Sequence, residues 1–154
     1  MSRSIICGVD GSPDSQAARR VAARLAAQFD LRLVVAHVAE PALVPYAAAA
    51  PFGGMAGRYA APRGEVASPH EVAQRVLDQV VTSAGLDAER RTAVGVPSER
   101  LAELADELDA ELIVVGSRGR GAFRAAFLGS VSNALVGVAR CPVLIVPPGA
   151  AGRQ

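Results

Sequence analysis

The sequence predicts an α/β fold, a single domain on a five-stranded parallel sheet with helices on both faces. Five short apolar runs rich in Val and Ile recur along the chain, several apolar almost without alternation, which suits strands covered on both sides. Segments with apolar residues at three-and-four spacing separate them, and alternation of this kind implies parallel strands joined by right-handed crossovers. A chain of 154 residues, 51% hydrophobic and 20% charged, is long enough to bury a real core.

Each element can be read in turn. "SIICGVD" (4–10) is the first strand, and Ser12-Pro13 then opens a helix as N-cap and first helical residue. Its apolar face is Ala17, Ala18, Val21, Ala22, Leu25, Ala26 and Phe29. "LRLVVAHV" (31–38) is the second strand. Residues 41–66, rich in Pro, Gly and Ala and carrying Tyr46, Phe52 and Tyr59, are too long for a simple turn and read as a mobile linker or a lid. Ser68-Pro69 starts the second helix, with Val72, Val76, Leu77 and Val80 inward and Gly85 at its close. "RRTAVGV" (90–96) is the third strand, and the next helix turns Leu101, Leu104, Ala105 and Leu108 to the core. "ELIVVGS" (111–117) is the fourth strand, and a last helix through 129–140 has Val131, Leu135 and Val138 inward. "CPVLIVPP" (141–148) ends the domain at 148 and leaves a tail over 149–154.

Composition excludes several function classes. A net charge of +1 gives no field to recruit nucleic acid or a membrane surface. All 16 basic residues are arginine, so Schiff-base chemistry and a phosphate-loop lysine are ruled out. The start "MSRSIICGVD" lacks the pattern of a signal peptide, and no apolar run is long enough to span a bilayer. Cys7 and Cys141 both sit in strand-like runs and read as small buried hydrophobes. The expectation is a cytoplasmic protein.

The stretch "GSRGRGAFRAAFLGSVSN" (116–133) carries the chemistry. Gly116 ends the fourth strand, Gly119 follows, and Gly129-Ser130 opens a helix whose N-terminal amides suit phosphate. Ser130 and Ser132 add hydroxyls, and Arg118, Arg120 and Arg124 put charge at the same rim. Asp10, at the end of the first strand just before Ser12-Pro13, falls at the switch point where ligands enter such sheets.

The spacing Gly-x2-Gly-x9-Gly-Ser at Gly116, Gly119, Gly129 and Ser130 resembles the nucleotide-binding signature of the universal stress protein family. So do "IICGVDGSPDS", "GVPSERLAELADELDAELIVVGSRGRG" and "FLGSVSNALVGVARCPVLIVPP", which together cover nearly the whole chain. The resemblance implies strand order 3-2-1-4-5 in an adenine-nucleotide α-hydrolase-like fold, with ATP at the carboxyl edge, and Mg2+, if present, brought by the phosphates. It further implies that Gly8 and Val9 line the adenine pocket and that Val38 meets adenine through its backbone. Asp10 would hold the ribose or approach a phosphate-bound metal, and Gly116, Gly119, Gly129, Ser130, Val131 and Ser132 would wrap ribose and phosphates.

Other motifs carry less. The lysine phosphate loop and a Gly-x-Gly-x-x-Gly fingerprint are absent, and "VDGSPDS" only faintly resembles the pyrophosphatase loop of ATP-cleaving synthetases. His37, in the second strand, reads as a buried or strand-end structural histidine, and Asp14 and Ser15 as first-turn helix residues. No metal-site spacing, nucleophile elbow or stacking platform is found. The last strand, with Val143, Leu144, Ile145 and Val146, is an apolar edge and the expected homodimer contact, as in the family. The function expected is an ATP-binding, stress-response regulator with slow or no hydrolysis; the alternatives are a slow ATPase or an interaction module of the same fold.

Overall fold

The computed structural model describes residues 3–41, 68–119 and 128–150. The long loop expected over 41–66 and Arg120, Gly121 and Arg124 fall almost wholly outside them. Nine elements alternate along the chain: β1 (Ser4–Gly8), α1 (Pro13–Phe29), β2 (Arg32–Ala39), α2 (Pro69–Thr82), β3 (Glu89–Val94), α3 (Pro97–Glu107), β4 (Ala110–Gly116), α4 (Ser130–Val138) and β5 (Val143–Val146). The strands are parallel in the order β3-β2-β1-β4-β5, as the resemblance implies.

Strand alternation divides the core in two. Ile5, Cys7, Leu33, Val35 and Val114 face α1 and α2, where they meet Ala17, Ala18, Ala22, Ala26, Leu77 and Val81. Ile6, Val34, Ala36, Ile113 and Val115 face the other way, against Leu101 and Ala105 of α3 and Leu135 of α4. Ala17, Ala18, Ala22 and Ala26 on the inner face of α1 let that helix lie close over the sheet. Both serine caps form: Ser12 Oγ accepts from the Ser15 amide at 3.2 Å. Ser68 Oγ accepts from Glu71 N–H at 3.2 Å while Glu71 accepts from Ser68 N–H at 2.7 Å, a closed capping box.

Three inward assignments shift. The buried stripe of α2 is Ala73, Leu77 and Val81, while Val72 is exposed; a stripe with four-residue steps drifts around a 3.6-residue helix, and the sheet selects the neighbouring row. Phe29 and Val138 are exposed because each is the last residue of its helix, where the axis leaves the sheet. The third strand ends at Val94 rather than 96, since Gly95 has φ +143°, a turn conformation open to glycine, and Pro97 begins α3. Cys141 is half-buried, unlike Cys7.

Complete burial pushes the Cys7 thiol from its ordinary 9.0 to about 12, opposed in part by Arg19. The folded chain therefore holds this proton more tightly than the unfolded one, and the associated stability is lost as pH rises from about 9 toward 12. Iodoacetamide at pH near 8 should label Cys141 and leave Cys7 intact in the native protein by peptide mass analysis. Labelling of both at equal rates would show that the β1 face opens without global unfolding.

Candidate functional site

The site is built around the end of β4. Ser117 is the next residue, and its peptide and side chain reach three other elements. Its amide donates to Val146 O of β5 at 2.9 Å, and its carbonyl accepts from the Gly129 amide at 2.7 Å. The same carbonyl and that of Gly129 receive the Ser132 hydroxyl at 3.2 and 3.0 Å. The Ser117 hydroxyl donates to Asp14 Oδ2 at 2.9 Å, and Arg118 Nε approaches that oxygen at 3.3 Å. The start of α4 is thus fastened beside the end of β4, and both are tied to the first turn of α1.

Three glycines make these approaches possible. A Cβ on Gly116 would lie 2.7 Å from the Asp14 backbone carbon. One on Gly119 would sit 2.8 Å from Asp10 Oδ2, and one on Gly129 would press on backbone of Arg118, Gly119 and Ser117 at 3.3 to 3.4 Å. Asp10 itself accepts the Ser12 amide at 2.9 Å, which closes the turn between β1 and α1. The structure accordingly brings Asp10, Gly119, Gly129 and the α4 start to one edge.

The remaining expected residues divide by what they present. Gly8 is buried under Leu101 and Val115, and the Val9 side chain is in the core, so only their backbone faces the edge. Val38, half-buried, is the next-to-last residue of β2 beside them. Ser130 is exposed at the first helical position and Val131 is half-buried behind it. Ser132 is 2% exposed, its proton given to the loop. Arg118 is paired with Asp14, whose side chain is 10% exposed against 25% for the arginine. Ser117 and Asp14 are absent from the sequence reading of the site: their serine and aspartate types have no spacing rule, and their contact spans 103 positions.

Among the described residues no group of three or more His, Cys, Asp or Glu is placed to hold a metal ion. No helix of the described residues is long and apolar enough to cross a membrane. A cavity of about 230 Å³ between β2, β3 and α3 is lined by His37 and Val38 together with Arg91, Arg100, Glu103 and Glu107; in its wall Arg100 and Glu103 pair at 2.6 Å.

Strand order 3-2-1-4-5, with a glycine-lined turn facing a helix start at the carboxyl edge, defines an adenine-nucleotide α-hydrolase-like protein. Residues 1–147 match the Universal stress protein family, and the chain belongs to that family. A universal stress protein of Thermus aquaticus is 34% identical over 147 residues, covering 95% of this chain and 99% of the relative. A Mycobacterium tuberculosis relative is 32% identical over 92% of this chain, which spans only 47% of that longer protein. A solved universal stress protein in complex with cAMP superposes with a TM-score of 0.61 at 27% identity, over 95% of this chain and 97% of the other.

The Gly116 contact can be weighed against a glycine with free space. Nothing lies within 4 Å of a Cβ on Gly137, an exposed α4 residue, so Gly137→Ala should stabilise by about 0.5–1 kcal/mol. Gly116→Ala must displace the α1 first turn and should destabilise by about 1–3 kcal/mol. Urea unfolding of both variants checks the pair; equal effects would mean that the α1 turn yields without resistance.

Proposed function

We propose that the carboxyl edge binds an adenine nucleotide, ATP first among them, and that the protein is a stress-response regulator read by partners according to occupancy. The observation that carries this is the α4 start. Gly129 caps it with no side chain, and the first helical bond, Asn133 N–H to Gly129 O at 3.0 Å, leaves the amides of Ser130, Val131 and Ser132 ahead of it. Amides so placed, with the helix dipole behind them, favour phosphate. Gly119 and Gly129 keep that approach clear of side chains. The cAMP complex of the solved relative supports an adenine nucleotide on this fold.

The residues fit a nucleotide better than a catalysed phosphoryl transfer. With no lysine in the chain and Arg118 engaged by Asp14, charge to stabilise a leaving phosphate is scarce among the described residues. Mg2+ would arrive on the phosphates, with Asp10 the nearest carboxylate of the edge, and hydrolysis would be slow or absent. A cytoplasmic location accompanies this reading.

Heat release from the purified chain followed by nucleotide chromatography should yield ATP or AMP. Added ATP at a hundred times Kd should raise stability by about 2.7 kcal/mol, and Gly119→Val should abolish the thermal shift while the circular dichroism stays native. An empty protein with no shift for ATP, AMP or cAMP would overturn the reading. Steady turnover lost in Asp10→Ala would replace it with a slow ATPase.

The same reading includes a homodimer through β5. The two sheet edges differ: β3 carries Glu89, Arg90 and Arg91 in ion pairs, whereas β5 is Val143, Leu144, Ile145 and Val146, three of them only half-buried. A charged edge resists pairing and an apolar one invites it. Light scattering should give twice the 15.8 kDa chain mass, reverting to the single mass in Leu144→Lys; a wild-type monomer at all concentrations would refute the dimer.

A further inference from the structure

We infer that His37 is a positioning residue of the nucleotide site, which ends the β1–β2 ladder and turns the Val38 amide toward the ligand. The inference rests on the nucleotide reading above. It begins with a missing rung. Pairing of β1 with β2 stops at Gly8 and Ala36, although the Val9 amide still donates to Ala36 O at 2.9 Å. In a parallel ladder the next bond would be Val38 N–H to Val9 O. That carbonyl is taken by His37 Nδ1, at 2.6 Å. A carbonyl only accepts, so Nδ1 carries the proton.

The consequence falls on two neighbours. Val9 O is held by a side chain rather than by β2 backbone, so the peptide leading into Asp10 has its orientation set by His37. Val38 N–H, which points to the β1 side, is left without that carbonyl at the edge where the nucleotide would lie. An amide of a half-buried residue with its ladder partner removed is a ready donor for a ring nitrogen of the base. His37 is half-buried at this point, and its register partner on β3 is Thr92. Thr92 in turn lies 3.5 Å from His70 Nδ1, so both histidines of the chain stand on this edge.

The experiment compares wild-type protein with His37→Leu, His37→Gln and His37→Asn. Asn can return a donor close to the Nδ1 position, whereas Gln carries its amide one bond too far. Amide exchange by NMR should find Val38 N–H unprotected without nucleotide, protected with AMP, and protected in His37→Leu even without AMP, because the ladder closes. The 15N shifts of the His37 ring should report a proton on Nδ1. AMP affinity should fall about tenfold in Leu and Gln and recover in Asn, with melting temperatures close to wild type. A Val38 amide equally protected in wild type and His37→Leu, or unchanged AMP affinity in Leu and Gln, would overturn the inference. Failure of wild-type protein to bind any adenine nucleotide would instead remove the nucleotide reading, and Val38 exchange would still decide whether His37 ends the ladder.

Discussion

The Ser117 peptide is the constraint on which the rest of the edge depends. A strand end normally leaves its last carbonyl to solvent or to a turn. Here one residue satisfies Val146 O with its amide, the α4 start with its carbonyl and Asp14 with its hydroxyl. β5, α4 and α1 are therefore referenced to a single point. Together with the packing of Leu135, this tie fixes the start of α4 against β4 across the 11 residues that separate Ser117 from Gly129 in the sequence.

This constraint explains the sizes of the residues around it. Atoms drawn within hydrogen-bond distance of Ser117 crowd both sides of it, and the positions next to the contacts are glycine: Gly116 against Asp14, Gly129 against Arg118 and Ser117. It also explains a buried charge. Asp14 sits in the first turn of α1, where the helix dipole favours an acid, and receives two donors from across the chain. Little of its carboxylate meets water, so the pair with Arg118 is screened less than the surface pairs of β3. Arg118 is thereby held over the loop as part of its structure, and its charge is largely spent on Asp14 before any anion arrives.

Much of the fold was legible in the sequence because its signals are local. Apolar runs, serine-proline starts and glycine spacing each report on a few neighbouring residues, and all nine elements follow from them. Of the residues expected inward on α2 only Val72 is exposed, because periodicity gives the width of a stripe but not its phase against a particular sheet. The site was legible only where glycine marked it. Ser117 and Asp14 are ordinary residue types whose meaning arises from a contact across 103 positions. His37 lies inside β2, two residues before its end, and its bond to Val9, the residue after β1, has no trace in either run alone.

The donors of this edge are mostly backbone amides, and that bears on what it can do. An amide at a helix start is fixed in place, carries a partial charge and has no proton to exchange at neutral pH. It can hold an anion with little reorganisation, but it supplies neither a general base nor a mobile cation for a leaving group. An arginine already bound to Asp14 adds little to either task. On the proposed reading, an edge so composed would hold an anion rather than transform it. Ser117 joins α1, α4 and β5, so an anion at the α4 start would lie one residue contact away from the apolar edge strand, through Ser117 N–H to Val146 O. On that reading, the bound anion and the β5 strand would thus share Ser117 as a common neighbour.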